Sequence, residues 1–114
     1  MSLNAFLERL NCEPETVTFN DTMAVIEQAY QYQDTSFSNG EMELRPGQSS
    51  GSCKIFAFGL LNGLSEQQTL HCFGDYYRVD VLGNPTGEGH QNIRSFMQHG
   101  WSGISFHGEA LVEK

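Results

Sequence analysis

Near the start of the chain, Leu3, Phe6, Leu7 and Leu10 recur at helical spacing, which predicts a short helix capped by Ser2 and ended by Pro14. The same period returns in Met23, Ile26 and Tyr30. It predicts a second helix running from a cap at Asn20 or Asp21 to about Tyr32. The pattern then switches. Thr35 to Leu44 alternates around Asn39-Gly40 and predicts a hairpin on a type I′ turn, with Phe37 opposite Met42 and Thr35 opposite Leu44. Ser36, Ser38, Glu41 and Glu43 fall on its other face.

Gly47 to Ser52 carries no large apolar side chain, whereas the stretch from Ile55 to Leu61 is apolar nearly all round. The switch predicts Ser52 as N-cap and Cys53 as first residue of a central helix that stops at Asn62-Gly63. Ser65 and Gln68 form a capping box for the next helix, whose inner stripe is Leu70, Phe73, Tyr77 and Val81 and which ends at Gly83-Asn84-Pro85. Gly74 in its middle predicts close packing against a neighbour. A last helix, from about His90 to His99, turns Ile93, Phe96 and Met97 inward and ends at Gly100-Trp101. Ile104 and Phe106 then alternate with Ser105 and His107, a strand that joins the hairpin as its third member. The fold class is α+β: about five helices packed with a small antiparallel sheet, in a single domain over residues 1–114.

Composition narrows the function classes. The chain is 39% hydrophobic and 18% charged, too apolar for a disordered segment. Its longest apolar run is far short of the roughly 20 residues of a membrane helix. Fourteen acids against six scattered bases give a net charge of −8, which argues against nucleic acid and anionic membranes as partners. A protein or a small molecule remains. Cys12, Cys53 and Cys72 have no paired spacing and no signal peptide precedes them, which predicts a reducing, cytoplasmic setting.

The runs Phe37-Ser38-Asn39-Gly40, Gly51-Ser52-Cys53-Lys54, Cys72 to Leu82, His90-Gln91-Asn92-Ile93-Arg94 and Gly100-Trp101 resemble the HopJ family across essentially the whole chain. That family is named after a type III secretion effector of plant-pathogenic bacteria, which implies delivery through a type III system. The resemblance implies no reaction, cofactor or catalytic residue. Candidate sites therefore rest on the residues themselves.

Cys53 is the sharpest of them. A thiol at a helix N-terminus beside Lys54 is placed for thiolate formation, and Gln48 stands upstream as an oxyanion donor. Gln followed by Gly-Ser-Cys before an apolar helix is loosely similar to papain-like cysteine proteases, although Lys54 stands where an aromatic residue follows the cysteine there. His90 is the candidate base and Asn92 its orienting partner. Together these predict a cysteine-dependent acyl transfer, by a hydrolase or a transglutaminase-like enzyme. Against it stands the commoner case, a buried inert cysteine opening a core helix. A second group, Tyr76, Arg78, Asp80 and Arg94, is rich in ligand-recognising chemistry, with Arg78 and Asp80 expected to pair with Arg94 and Glu88. No histidine has a partner at metal-ligand spacing, so neither a metal nor a cofactor is expected. The leading reading is a non-catalytic module that binds a protein or a small molecule.

Overall fold

The computed structural model describes residues 1–114. Its helices are α1 (Leu3–Cys12), α2 (Phe19–Ala29), α3 (Ser50–Leu61), α4 (Glu66–His71) and α5 (Gln91–His99). Its strands are β1 (Tyr30–Tyr32), β2 (Phe37–Asn39), β3 (Met42–Leu44), β4 (Ile104–Phe106) and β5 (Leu111–Glu113). The fold is α+β, with two small antiparallel sheets ordered β3-β2-β4 and β1-β5. No helix is long and apolar enough to cross a membrane.

Helix starts follow side-chain chemistry. Ser2 accepts from the Ala5 N–H at 3.1 Å and opens α1. For α2 the cap is Thr18, earlier than the Asn20 or Asp21 expected. Thr18 Oγ1 accepts from the Asp21 N–H at 3.0 Å, and Asp21 Oδ2 accepts from the Thr18 N–H at 3.2 Å. Asp21 is thus the far half of a capping box. Nor does α2 reach Tyr32. Tyr30–Tyr32 leaves the helix as β1 and pairs with β5, Tyr30 opposite Glu113, so the buried Tyr30 packs from a strand.

The hairpin differs from expectation by two residues. Phe37 lies opposite Leu44 and Asn39 opposite Met42, which leaves Gly40-Glu41 as the turn. Gly40 has φ +63°, the left-handed backbone of a first turn residue in a II′-type connection. A shift of two preserves the division of faces, so Ser38 and Glu43 still share the polar side, bonded at 2.6 Å. It also moves Asn39 from the turn into the interior. Asn39 Nδ2 donates to the Asn92 backbone oxygen at 2.9 Å and to Asn92 Oδ1 at 3.0 Å, and Ser95 Oγ donates to the Asn39 carbonyl at 3.0 Å. The hairpin tip therefore pins the first turn of α5. As expected, β4 completes this sheet.

In the centre lies α3, with Cys53, Ile55, Phe56, Ala57, Phe58 and Gly59 all buried. Its cap is Ser49 rather than Ser52, and it ends at Asn62 with Gly63 at φ +62°. Ser65 and Gln68 form the expected box for α4. That helix stops at His71 instead of continuing to Val81. A turn through Gly74 at φ +63° intervenes before the π-helical segment Tyr76–Val81. The close packing expected at Gly74 is against the Thr18–Phe19 backbone. Trp101 covers the back of α3, donating its indole N–H to the Leu64 carbonyl at 3.0 Å.

Candidate functional site

Two helix starts, far apart in sequence, open on one cleft of about 380 Å³. On one side is the beginning of α3, with Ser49, Gly51 and Ser52 on the wall. On the other is the beginning of α5, with His90, Gln91 and Asn92. Neither helix start carries a side-chain cap. The first α3 turn bond runs from Cys53 N–H to the Ser49 carbonyl at 2.8 Å, so the N–H groups of Ser50, Gly51 and Ser52 lie ahead of the ladder without backbone partners. At α5 the Ile93 and Arg94 N–H groups share the His90 carbonyl, which leaves those of Gln91 and Asn92 in the same condition. Unpaired donors thus converge from two directions.

An aromatic wall closes a third side. Phe19 meets Tyr76 edge to face at 5.0 Å, and Tyr76 lies 5.2 Å from the His90 ring at 35°. Phe73 and Ile93 form the apolar floor. His90 is the single non-glycine residue with positive φ, at φ 57° and ψ 51°. That conformation disfavours a residue with a Cβ by about 1–2 kcal/mol. What holds it is visible: Nε2 lies 3.1 Å from Asp80 Oδ2, and the ring lies against Tyr76. Tyr76 and Asp80 therefore both meet His90, from the π-helical segment.

The other candidates lie elsewhere. Cys53 does not start α3. It is the fourth residue, its N–H already bonded, and so lies past the turn where unpaired amides would favour a thiolate. Each helical residue is rotated by about 100° from the last, so when Gly51 and Ser52 face the cleft, Cys53 turns away. Its sulfur is 3.5 Å from the Thr35 carbonyl, and the residue is 2% exposed. Burial pushes the Cys53 thiol up, and the opposing influences of the Tyr32 side chain and Lys54 do not offset it. Lys54 itself sits 4.7 Å from the centre of the Tyr32 ring. Gln48 accepts from the Arg45 N–H at 2.9 Å and closes its own loop. Asn92 is held by Asn39, so it anchors α5 at the cleft wall.

Arg78 and Arg94 depart from the expected ion pairs with acids. The Arg78 guanidinium turns inward and donates to the carbonyls of Pro14 and His71 at 3.2 Å each, and to that of Val17. It stitches the turn before α2 to the segment after α4. Beside it, His71 is held below its ordinary value by burial and by the Arg78 charge. Arg94 donates to the carbonyls of Gly89 and Pro85, bracing the loop ahead of α5. His90 to Asp80 is the sole contact of the chain between a basic and an acidic side chain within 4.0 Å. No three His, Cys, Asp or Glu side chains cluster at metal-binding distances.

Sequence reading passed over Phe19, Ser49 and Gln91 as cleft residues. The available signal was at Gly89-His90, where a helix starts from a residue other than Ser, Thr, Asp or Asn. The thiols give a direct check. Iodoacetamide at about pH 8 is expected to modify the exposed Cys12 and to leave Cys53 and Cys72 untouched until the protein unfolds. Burial pushes the Cys72 thiol up to about 12, whereas an unfolded chain releases that proton near 9.0. Unfolding thus sheds a proton in this window, and stability is expected to fall as pH rises from 9.0 toward about 12. Denaturation midpoints at pH values across that window measure it.

The model of the HopJ type III effector protein family matches residues 3–111. The chain is also similar to a crystal structure described as that of an unknown function protein, VPA0580. Identity is 50% over 100% of this chain and 95% of that one, with a TM-score of 0.98. No curated protein matches.

Proposed function

The chain belongs to the HopJ type III effector protein family, whose name specifies no reaction, and from the geometry of the cleft we propose that it is a small-molecule-binding module. Its ligand is a flat ring bearing acceptor oxygens, such as a carboxylate or a carbonyl. The ring lies along Tyr76 and His90, and the oxygens take up the unpaired N–H groups at the starts of α3 and α5. The observation that carries this reading is His90: a left-handed, non-glycine residue held at the mouth of a cleft by Tyr76 and Asp80. Strain of this kind persists where surrounding contacts over-determine it, and it concentrates at ligand sites. The cleft's volume of about 380 Å³ falls at the small end of ligand pockets. An apolar floor with a few convergent polar groups is their usual construction.

Cysteine-dependent acyl transfer is less well supported. It needs an imidazole at the Cys53 sulfur, whereas His90 bonds Asp80 and Cys53 faces Thr35.

His90→Gly tests the proposal. Glycine adopts the left-handed backbone without penalty, and the lost contact to Asp80 is half-exposed. Relief of strain and the added freedom of the unfolded chain roughly cancel, so stability is expected to stay within about 1 kcal/mol of the parent. Stabilisation by binding is expected to vanish. A panel of aromatic carboxylates screened by thermal shift should raise the midpoint of the parent, by about 2.7 kcal/mol of stability at a hundred times Kd. The same compounds should leave His90→Gly unmoved. Equal shifts in both proteins would place binding outside the cleft.

A further inference from the structure

We infer that the free edge of β5 binds an extended basic peptide by strand addition, at a surface separate from the cleft. The ladder geometry sets up the edge. Gln33 N–H bonds to the Ala110 carbonyl at 2.8 Å and Lys114 N–H to the Ala29 carbonyl at 3.1 Å. Residues 110, 112 and 114 therefore direct their backbone groups toward β1. Backbone direction alternates along a strand, so the N–H and C=O of Leu111 and Glu113 point the other way, where no partner meets them. An edge whose backbone groups are unpaired is a template for one more strand.

Beside it runs a groove of about 440 Å³ between the second half of α3 and residues 106–113. Ala57, Phe106 and Leu111 line it. Leu60, Leu61 and Val112 also line it and are 50%, 57% and 46% exposed. Unpaired backbone groups, with Leu111 buried at 5% exposure and Glu113 exposed, beside an apolar trough are the two components of recognition by strand addition. The first supplies hydrogen bonds, the second receives alternate side chains.

Charge selects the occupant. Glu109 and Glu113 are the charged residues of the groove, and no cation lines it. Pairing of two such edges would bring these acids together in a chain of net charge −8. A three-residue edge is also only about 10 Å long, too short to anchor the roughly 800 Å² per partner of a stable dimer. A short peptide that alternates apolar residues with Lys or Arg meets both demands. Its apolar side chains enter the groove and its cations face Glu109 and Glu113.

The test titrates the synthetic peptide Ac-Lys-Val-Arg-Leu-Lys-Val-NH2 into the full chain labelled with nitrogen-15, following amide shifts and amide hydrogen exchange. Saturable binding is expected, with slowed exchange at the Leu111 and Glu113 amides. The double substitution Glu109→Lys, Glu113→Lys lies on exposed side chains and is expected to weaken binding by about tenfold, as two exposed ion pairs would. A peptide with Glu in place of Lys and Arg should not bind. The inference is overturned by no saturable binding, by binding without protection at Leu111 and Glu113, by equal binding by the charge-reversed protein, or by equal binding of the acidic peptide. Protection that grows with protein concentration in the absence of peptide also overturns it, because the occupant is then a second copy.

Discussion

Phe56→Ala is expected to lower the free energy of unfolding by about 4 kcal/mol, the largest loss of any single truncation in this core. Phe56 has no exposed surface and stands where β2, α5, the turn before the π-helical segment and the residues after α5 meet. Its ring lies 6.0 Å from Phe37 on β2, 5.6 Å from Phe73, 4.9 Å from Phe96 on α5 and 6.4 Å from Trp101. Removing it leaves a void that these rings cannot close together, because three of the four are fixed elsewhere. Phe96 packs on Trp101 at 5.0 Å, Trp101 is bonded to Leu64, and Phe37 stacks on Phe106 at 5.2 Å. Urea denaturation measures the effect. A loss below about 2 kcal/mol would mean that the rings do collapse into the space.

Gly74→Ala comes second, at about 3 kcal/mol, and combines two costs. The residue has φ +63°, which disfavours an L side chain by about 1–2 kcal/mol. Its new Cβ would also lie 2.6 Å from the Phe19 backbone nitrogen and 3.1 Å from the Thr18 carbonyl carbon, and backbone has no rotamer to yield with. Gly63→Ala is the control. It has φ +62° with nothing near its Cβ, so only the conformational part applies and the expected loss is about 1 kcal/mol. Comparable losses in the two variants would remove the packing role assigned to Gly74. The two also separate in function. Gly74→Ala pushes on Thr18–Phe19 and hence on the aromatic wall of the cleft, and is expected to weaken ligand binding. Gly63→Ala is not.

Features that depend on neighbours in sequence were legible. The caps at Ser2 and at Ser65–Gln68, and the stop at Asn62-Gly63, each join a side chain or a glycine to backbone within a few residues. The local starts of α2 and α3, at Thr18 and Ser49, were misplaced by two or three residues, and the larger misreadings fell where distant residues decided. Asn39-Gly40 has the composition of a tight turn, but Asn39 is claimed by Asn92, 53 positions away, and the turn moves on to Gly40-Glu41. Tyr30 continues the helical stripe of α2, yet its strand exists because the far end of the chain pairs with it. Gly74 read as a closely packed glycine within one helix; the packing is there, but the chain turns at it between two helical segments.

The candidate site was legible in part for the same reason. His90, Asn92, Tyr76 and Asp80 were recognisable by type, and the structure gathers them around the cleft. Cys53 was drawn into the same scheme by its distance in sequence from a presumed helix start. Moving that start from Ser52 to Ser49 alters which side chains face the cleft, and a thiol one position beyond Ser52 turns into the core.

The most direct measurement on the proposed function is amide chemical-shift mapping of the nitrogen-15-labelled protein against an aromatic carboxylate selected by thermal shift. The proposal predicts saturable shifts concentrated at Gly51, Ser52, Gln91 and Asn92, whose backbone donors line the cleft, with none at Cys53. Saturable shifts centred on Cys53 and Thr35, or no residue of the α3 and α5 starts responding, would contradict it.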